Sequence, residues 1–399
     1  MYRSMRRWVL PLLFVLLTAP LMAQQEVDER ALIEVKDGIS IKKDTMFLLN
    51  LRFRMQNRIG FTTVSGDDVD IAFVDARVRR LRLRLDGYVM NDRLRYYIQL
   101  NFSRSDLDLE TPGIAQPIRD AMVYYHFNDH IYVGFGQSKL PGNRQRVTSS
   151  GNLQFPDRSI ANAAYTLDRD FGAFAYWTIP CGEQEFQLKG AITSGDGRGA
   201  LPINAGMAYT GRVEWLPLGP FTNKGDYSEG DLEFEPVPKL SFGAVYSWND
   251  QSARTGGQLG SDLYEYRSVG TFIADVVLKH QGWALSGEYF DRRCDDPITL
   301  SAEDDVRVVT IGTGSNLQLS KLLHNHYEFV GRYSIVDPDE DILGYRNQVE
   351  EILLGSTKYL NGHRIKLQAY VGYRWTGSNM ALDGPLNSWT TMFQVEFGI

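Results

Sequence analysis

The 399-residue sequence is poor in cysteine, in histidine and in long apolar runs. Two cysteines, Cys181 and Cys294, are too few for a disulfide scaffold. Beyond the N-terminus no stretch reaches the ~18 apolar residues of a membrane helix, so any later span has to be β. The six histidines are His126, His130, His280, His324, His326 and His363, and all fall near predicted short turns on one side. A surface hydrolase would then lack its usual base among the opposite loops, so the chain reads as no enzyme and as needing no cofactor. Basic excess is missing too. Lys and Arg total 42 against 49 Asp and Glu, a net charge of −7, which argues against nucleic acid as a partner.

Acid is absent from residues 1–23, where Arg3, Arg6 and Arg7 precede an apolar core from Trp8 to Leu17. Ala19 to Ala23 supply a processing region, with cleavage expected at Ala23–Gln24. The apolar run is short for an uncleaved anchor helix. Removing three arginines and no acid takes the net charge from −7 to −10. The chain is therefore read as exported, with residues 1–23 a signal peptide and 24–45 a periplasmic lead-in.

What the sequence does have is aromatic residues, with 21 Tyr, 20 Phe and 7 Trp, at a mean hydropathy of only −0.28. It also has strict alternation. Leu51, Phe53 and Met55 interleave with Arg52, Arg54, Gln56 and Arg58. Leu81, Leu83 and Leu85 interleave with Arg80, Arg82, Arg84 and Asp86. Ile365, Leu367, Ala369 and Val371 interleave with Arg364, Lys366, Gln368 and Tyr370. Side chains of a strand point alternately to its two faces, so each segment has one apolar and one polar face. About sixteen such segments are legible, near the length a tilted barrel strand needs. They fall near 46–61, 76–90, 93–105, 118–128, 130–140, 170–179, 184–194, 207–217, 239–249, 269–280, 282–293, 305–319, 324–336, 346–360, 363–376 and 388–399. Tight turns alternate with long polar loops, which is the pattern of an outer-membrane barrel with short periplasmic turns. The expectation is an all-β fold, a transmembrane antiparallel up-and-down β-barrel over 46–399. One connection, 218–238, is long on the short-turn side. It is either a periplasmic excursion or a missed strand pair.

Several stretches resemble the phosphate-selective porin O and P family, in its Bacteroidetes-like branch. They are Arg52 to Arg58, the run Ala76 to Arg84, Tyr96 to Leu100, Gly134 to Arg146 continuing as Ser149 to Ser159, and Tyr359 to Gln368. The resemblance covers nearly the whole mature chain. It implies a sixteen-stranded outer-membrane porin, trimeric, passing small solutes. Two departures are visible. The chain ends Phe397-Gly398-Ile399 where such barrels commonly end in Phe, and phosphate selectivity belongs to some members only.

The candidate pore-lining basic residues are Arg52, Arg54, Arg58, Arg80, Arg82, Arg84, Arg93 and Arg95, joined by Arg364, Lys366 and Arg374. On adjoining strands they would form one arc attracting small anions, phosphate among them. The bland reading is a lumen of structural ion pairs with Asp86, Asp120, Glu288 and Glu328. Arg77 and Arg79 fall off this parity, which points to a bulge or to a rim position against lipid phosphate. The loop 141–169 is expected to fold inward as a constriction carrying Arg144, Arg146 and Arg158. Acidic clusters at Asp67-Asp68-Val69-Asp70 and Asp337 to Asp341 match no complete calcium loop, and no metal site is expected. The alternative function is a non-conducting barrel acting as a surface receptor or adhesin through its external loops.

Overall fold

A computed structural model describes residues 32–35, 38–103, 117–200, 204–377 and 387–399. The signal-peptide reading of residues 1–23 lies outside them. Two short strands, β1 (Leu32–Val35) and β2 (Ile39–Lys43), form a hairpin ahead of the barrel. Sixteen antiparallel strands then close on themselves. They are β3 (Phe47–Thr63), β4 (Ile71–Val89), β5 (Asn91–Asn101), β6 (Ile118–His126), β7 (Ile131–Lys139), β8 (Arg169–Cys181), β9 (Gln184–Thr193), β10 (Ala208–Leu216), β11 (Lys239–Arg254), β12 (Asp262–His280), β13 (Trp283–Arg293), β16 (Gly312–Leu322), β17 (Tyr327–Pro338), β18 (Val349–Asn361), β19 (Ile365–Thr376) and β20 (Asn387–Gly398), with a separate external hairpin of β14 (Ile298–Leu300) and β15 (Val306–Val308).

The alternation sets the faces. On β20, Phe393, Val395 and Phe397 are 44%, 37% and 42% exposed, while Gln394 and Glu396 between them are fully buried. Apolar groups outside and polar groups inside are the inverse of a soluble sheet, and they fit a wall in contact with lipid. The barrel closes where β20 pairs with β3, Gln394 opposite Arg58 and Glu396 opposite Gln56. Below the C-terminus the free edge of β3 is taken up by β2, with Ile39 opposite Leu51 and Lys43 opposite Phe47, so the edge stays paired.

Tight turns occupy one end. At Gly282 φ is +82°, and an added Cβ would stand 2.6 Å from the Leu322 carbonyl oxygen. Only glycine fits that turn at no steric cost. Between β3 and β4 the register jumps from Gln56–Arg80 to Asn57–Val78, leaving Arg79 as an extra residue. This bulge flips the parity of the outer half of β4. Arg77 therefore lies opposite Arg58, and Asp75 pairs with Arg58. Of the two readings of this break in parity, the structure shows the bulge; Arg79 reaches Asp157 on the lumen side at 3.2 Å, while Arg77 is exposed and pairs with Asp75.

Two further segments differ from expectation. The strand expected over 305–319 begins only at Gly312, because Val306 to Val308 pairs with β14 instead. The connection 217–238 contributes no strand and does not run away from the barrel. It turns back into the lumen through Thr222–Tyr227, kinked where Asn223 and Lys224 take positive φ. Lys279 Nζ donates to the carbonyls of Gly225 and Ser228 at 2.7 and 2.8 Å, and Asp231 accepts from the Gly282 amide at 2.6 Å.

Cys181 ends β8 at the turn side and is exposed; Cys294 follows β13 at the loop side, half-buried against an external apolar cluster. Burial pushes the Cys294 thiol above its ordinary pKa, so less of it is thiolate at neutral pH. In intact cells a membrane-impermeant maleimide should label Cys294 alone, faster at pH 9 than at pH 7, and Cys181 only after permeabilisation. Mass spectrometry should find no Cys181–Cys294 disulfide, since the lipid-facing band between the two ends is ~25 Å tall.

Candidate functional site in the lumen

The chain between β7 and β8 leaves the wall and crosses the interior. It carries α1 (Arg144–Val147) and α2 (Ile160–Tyr165), the latter capped by Ser159 Oγ, which accepts from the Asn162 amide at 3.1 Å. Its apolar residues have somewhere to go. Leu140, Ala161, Tyr165 and Leu167 pack on Val245, Ile273, Phe290 and Val336, an apolar patch on the inner face. Each large side chain so buried contributes about 1.5–3 kcal/mol.

The polar residues of the loop are tied more firmly still. Arg144 reaches Asp275 at 3.1 Å, Glu214 and Asp226 at 3.3 Å, and Ser241 Oγ at 2.8 Å. Arg212 donates to Asp275 at 2.6 Å and to the Gly142 carbonyl at 3.0 Å, while Lys189 pairs with Glu214 at 2.8 Å. Three cations meet three carboxylates in this cluster, so none of its charge is left over. Across the lumen Arg54 and Arg82 donate to Ser150 at 2.9 and 2.8 Å, and Arg80 donates to the Pro156 carbonyl at 3.1 Å. Arg58, Arg79 and Arg80 converge on Asp157. Burial alone would raise the Asp157 carboxyl, but Arg79, Arg80 and Arg58 outweigh it and hold it well below the usual carboxylate range. Lys366 is fully buried and donates to the carbonyls of Gly151 and Leu153 at 2.7 and 2.6 Å.

These contacts revise the basic arc. Arg58, Arg80, Arg82 and Lys366, expected to line open lumen, are instead buried. Arg54 is likewise engaged by the loop and by Glu396. Parity gives the face a side chain points to but not what later covers it. Arg144, Arg146 and Arg158 are not free to meet a solute either. Arg146 is paired with Asp168, and Arg158 donates to the carbonyls of Gln145 and Thr148 at 2.6 and 2.8 Å. Arg84 pairs with Asp86 at 2.7 Å and lies over the Tyr97 ring; Arg374 pairs with Glu351 at 2.7 Å at the loop end. Arg364 sits half-buried in the turn before β19. Arg52, Arg93 and Arg95 remain, toward the turn end of β3 and β5, and among the described residues no carboxylate pairs with any of them. Of the four acids expected to neutralise the arc, Asp86 does so, Asp120 serves Arg169 at 3.0 Å, and Glu288 and Glu328 accept from loop amides.

The turn-side segment completes the interior. Glu229 accepts from the Gln154 amide at 2.7 Å and from Gln145 Nε2 at 3.2 Å, while its own amide donates to the Asn152 carbonyl at 2.9 Å. Two chain segments entering from opposite ends thus meet in the lumen.

Sequence reasoning missed Lys189, Arg212, Glu214 and Asp275. The signal was present, since Arg212 and Glu214 alternate with Gly211, Val213 and Trp215. It also missed an aromatic row, where His126, Tyr132 and Tyr176 stack at 4.6 and 4.4 Å between centroids.

The family described as phosphate-selective porin O and P matches residues 49–261, more than half of the chain. The chain belongs to this family. It is an outer-membrane porin, built as a channel rather than as an enzyme. Among solved structures, an anion-selective porin from Comamonas acidovorans superimposes with a TM-score of 0.56 at 12% identity, over 88% of this chain and 100% of that one. OmpT, an outer-membrane protein of Vibrio cholerae, gives 0.53 at 10% identity, over 90% and 99%. OmpF of Salmonella typhi gives 0.52 at 12% identity, over 92% and 100%. At these identities the likeness is one of fold. No curated protein matches this porin in sequence.

Removing Arg144 would leave three buried carboxylates facing two cations. Breaking a buried pair from one side costs about 3–5 kcal/mol. Arg144→Ala should therefore undock the loop, lowering the melting temperature and giving a larger, noisier single-channel conductance. Unchanged conductance at unchanged stability would contradict this role for the cluster.

Proposed function

We propose that this porin is a passive channel for small anions, phosphate among them, narrowed by the loop 141–169. The observation that carries the reading is the set Arg52, Arg93 and Arg95, basic side chains without a carboxylate partner among the described residues. Arg93 and Arg95 are exposed and Arg52 is half-buried. In a confined aqueous passage, three unneutralised guanidiniums raise the local concentration of anions and repel cations. Arg54, Arg58, Arg80, Arg82 and Lys366 hold the loop and set the width instead. The Comamonas acidovorans porin is described as anion-selective, which supports the preference for anions. A Vibrio cholerae OmpT structure is described as a trimer form, which supports a homotrimer in outer-membrane lipid. Export with cleavage after Ala23 completes the reading.

Reversal potential in a KCl gradient across a planar bilayer tests the selectivity. Arg52→Gln, Arg93→Gln and Arg95→Gln combined should lower the anion-to-cation permeability ratio by roughly half. The same change at Arg58, Arg80 and Arg82 should act mainly on conductance, through the loop. An unchanged ratio in the first triple variant would sink the assignment. Deleting Arg144 to Arg158 should raise single-channel conductance; a value equal to that of the intact channel would mean this loop does not narrow the passage.

A further inference from the structure

At the loop end of the barrel, α2 and two external loops enclose a cavity of about 460 Å³. Its apolar lining includes Ala164, Tyr165, Leu259, Val336 and Val349, and its basic lining is Arg346 and Arg374. No Asp or Glu lines it among the described residues, although acids outnumber bases in the chain. The Arg346 side chain is exposed and has no hydrogen-bond or ion-pair partner among the described residues. Arg374 meets only one carboxylate oxygen, Glu351 Oε2, through Nε and one Nη.

The walls are held in place. Arg292 is buried and donates to the carbonyls of Tyr165 and Thr166, at the end of α2, at 2.9 and 3.1 Å. It also donates to the Gly256 carbonyl of the facing loop at 3.2 Å, so one guanidinium fixes the spacing of two walls. The third wall is turned by Ile342, whose carbonyl accepts from the amides of Tyr345 and Arg346 at 2.9 Å.

A cavity of this size, mostly apolar with a few convergent charged groups, has the make-up of a small-molecule site. An inorganic anion has no use for the apolar wall, and a neutral solute has no use for two guanidiniums. A carboxylate on a flat hydrocarbon body uses both, with its oxygens on the arginines and its ring on the wall. We propose that this vestibule captures aromatic carboxylates on the outer side of the constriction. The proposal rests on reading the protein as an anion-preferring channel.

The test is block of chloride current in planar bilayers, with benzoate, acetate or benzylammonium added to the loop side. Benzoate should reduce the current at a concentration about tenfold below acetate, and benzylammonium should not reduce it. Arg346→Gln with Arg374→Gln should raise the half-blocking benzoate concentration about tenfold. Ala164→Trp fills the cavity while leaving both arginines in place and should weaken the block as well. Equal block by acetate, no block by benzoate, or block unaltered in both variants would overturn the proposal. The wild-type reversal potential, recorded in the same bilayers, reports on anion preference separately. Anion preference without benzoate block would defeat the vestibule site alone.

Discussion

Inside a bilayer no water is available to a backbone amide or carbonyl, and each must find a partner within the protein. That constraint decides this fold. A sheet satisfies all its strands only when its first and last edges join, which here happens at the seam between β20 and β3. The seam is shorter than β3, and the lead-in strand β2 covers the remainder. Outside the seam, alternation does the rest. The same period that sends Phe393 and Val395 toward lipid sends Gln394 and Glu396 inward. The barrel is thus a shell whose polar residues are its interior.

A polar interior would ordinarily be hydrated. In this porin it is largely occupied by protein. Arg58, Arg80, Arg82 and Lys366 exchange water for the carbonyls and carboxylates of a single loop, with an apolar patch beneath α2 beside them. Buried charges are tolerable because they are paired, as in the cluster of Arg144, Arg212 and Lys189 with Glu214, Asp226 and Asp275, or hydrogen-bonded to carbonyls, as are Arg292 and Lys279. Charge balance in the middle of the pore leaves Arg52, Arg93 and Arg95, which pair with no carboxylate among the described residues, nearer its turn-side end.

The shell was more legible in the sequence than its contents. Most barrel strands fell close to their observed bounds, since period-2 alternation is a local signal repeated at every residue, although β4, β11 and β12 run five to seven residues further into the loop end than the alternation suggested. The reading at 305–319 failed for another reason, because Val306 to Val308 has the same alternation in an external hairpin. The bulge at Arg79 announced itself as a break in parity. What fills the lumen left no such trace. Arg144 meets Asp275, and Gln154 meets Glu328, across separations of 131 and 174 residues. No spacing rule connects such pairs. The inward turn of 217–238 was equally silent, because acidic, glycine-rich chain reads the same in solvent and in a pore.

Those separations bear on the order in which the molecule assembles. The loop's partners are spread from Arg54 on β3 to Lys366 on β19, with Glu229 contributed by the segment rising from the turn side. No subset of neighbouring strands offers more than part of that surface. Closing long chain segments costs entropy before their contacts repay it, so such contacts form late. By that argument the wall should close before the interior sets. A closed barrel without that loop docked would have a wider bore than the finished channel.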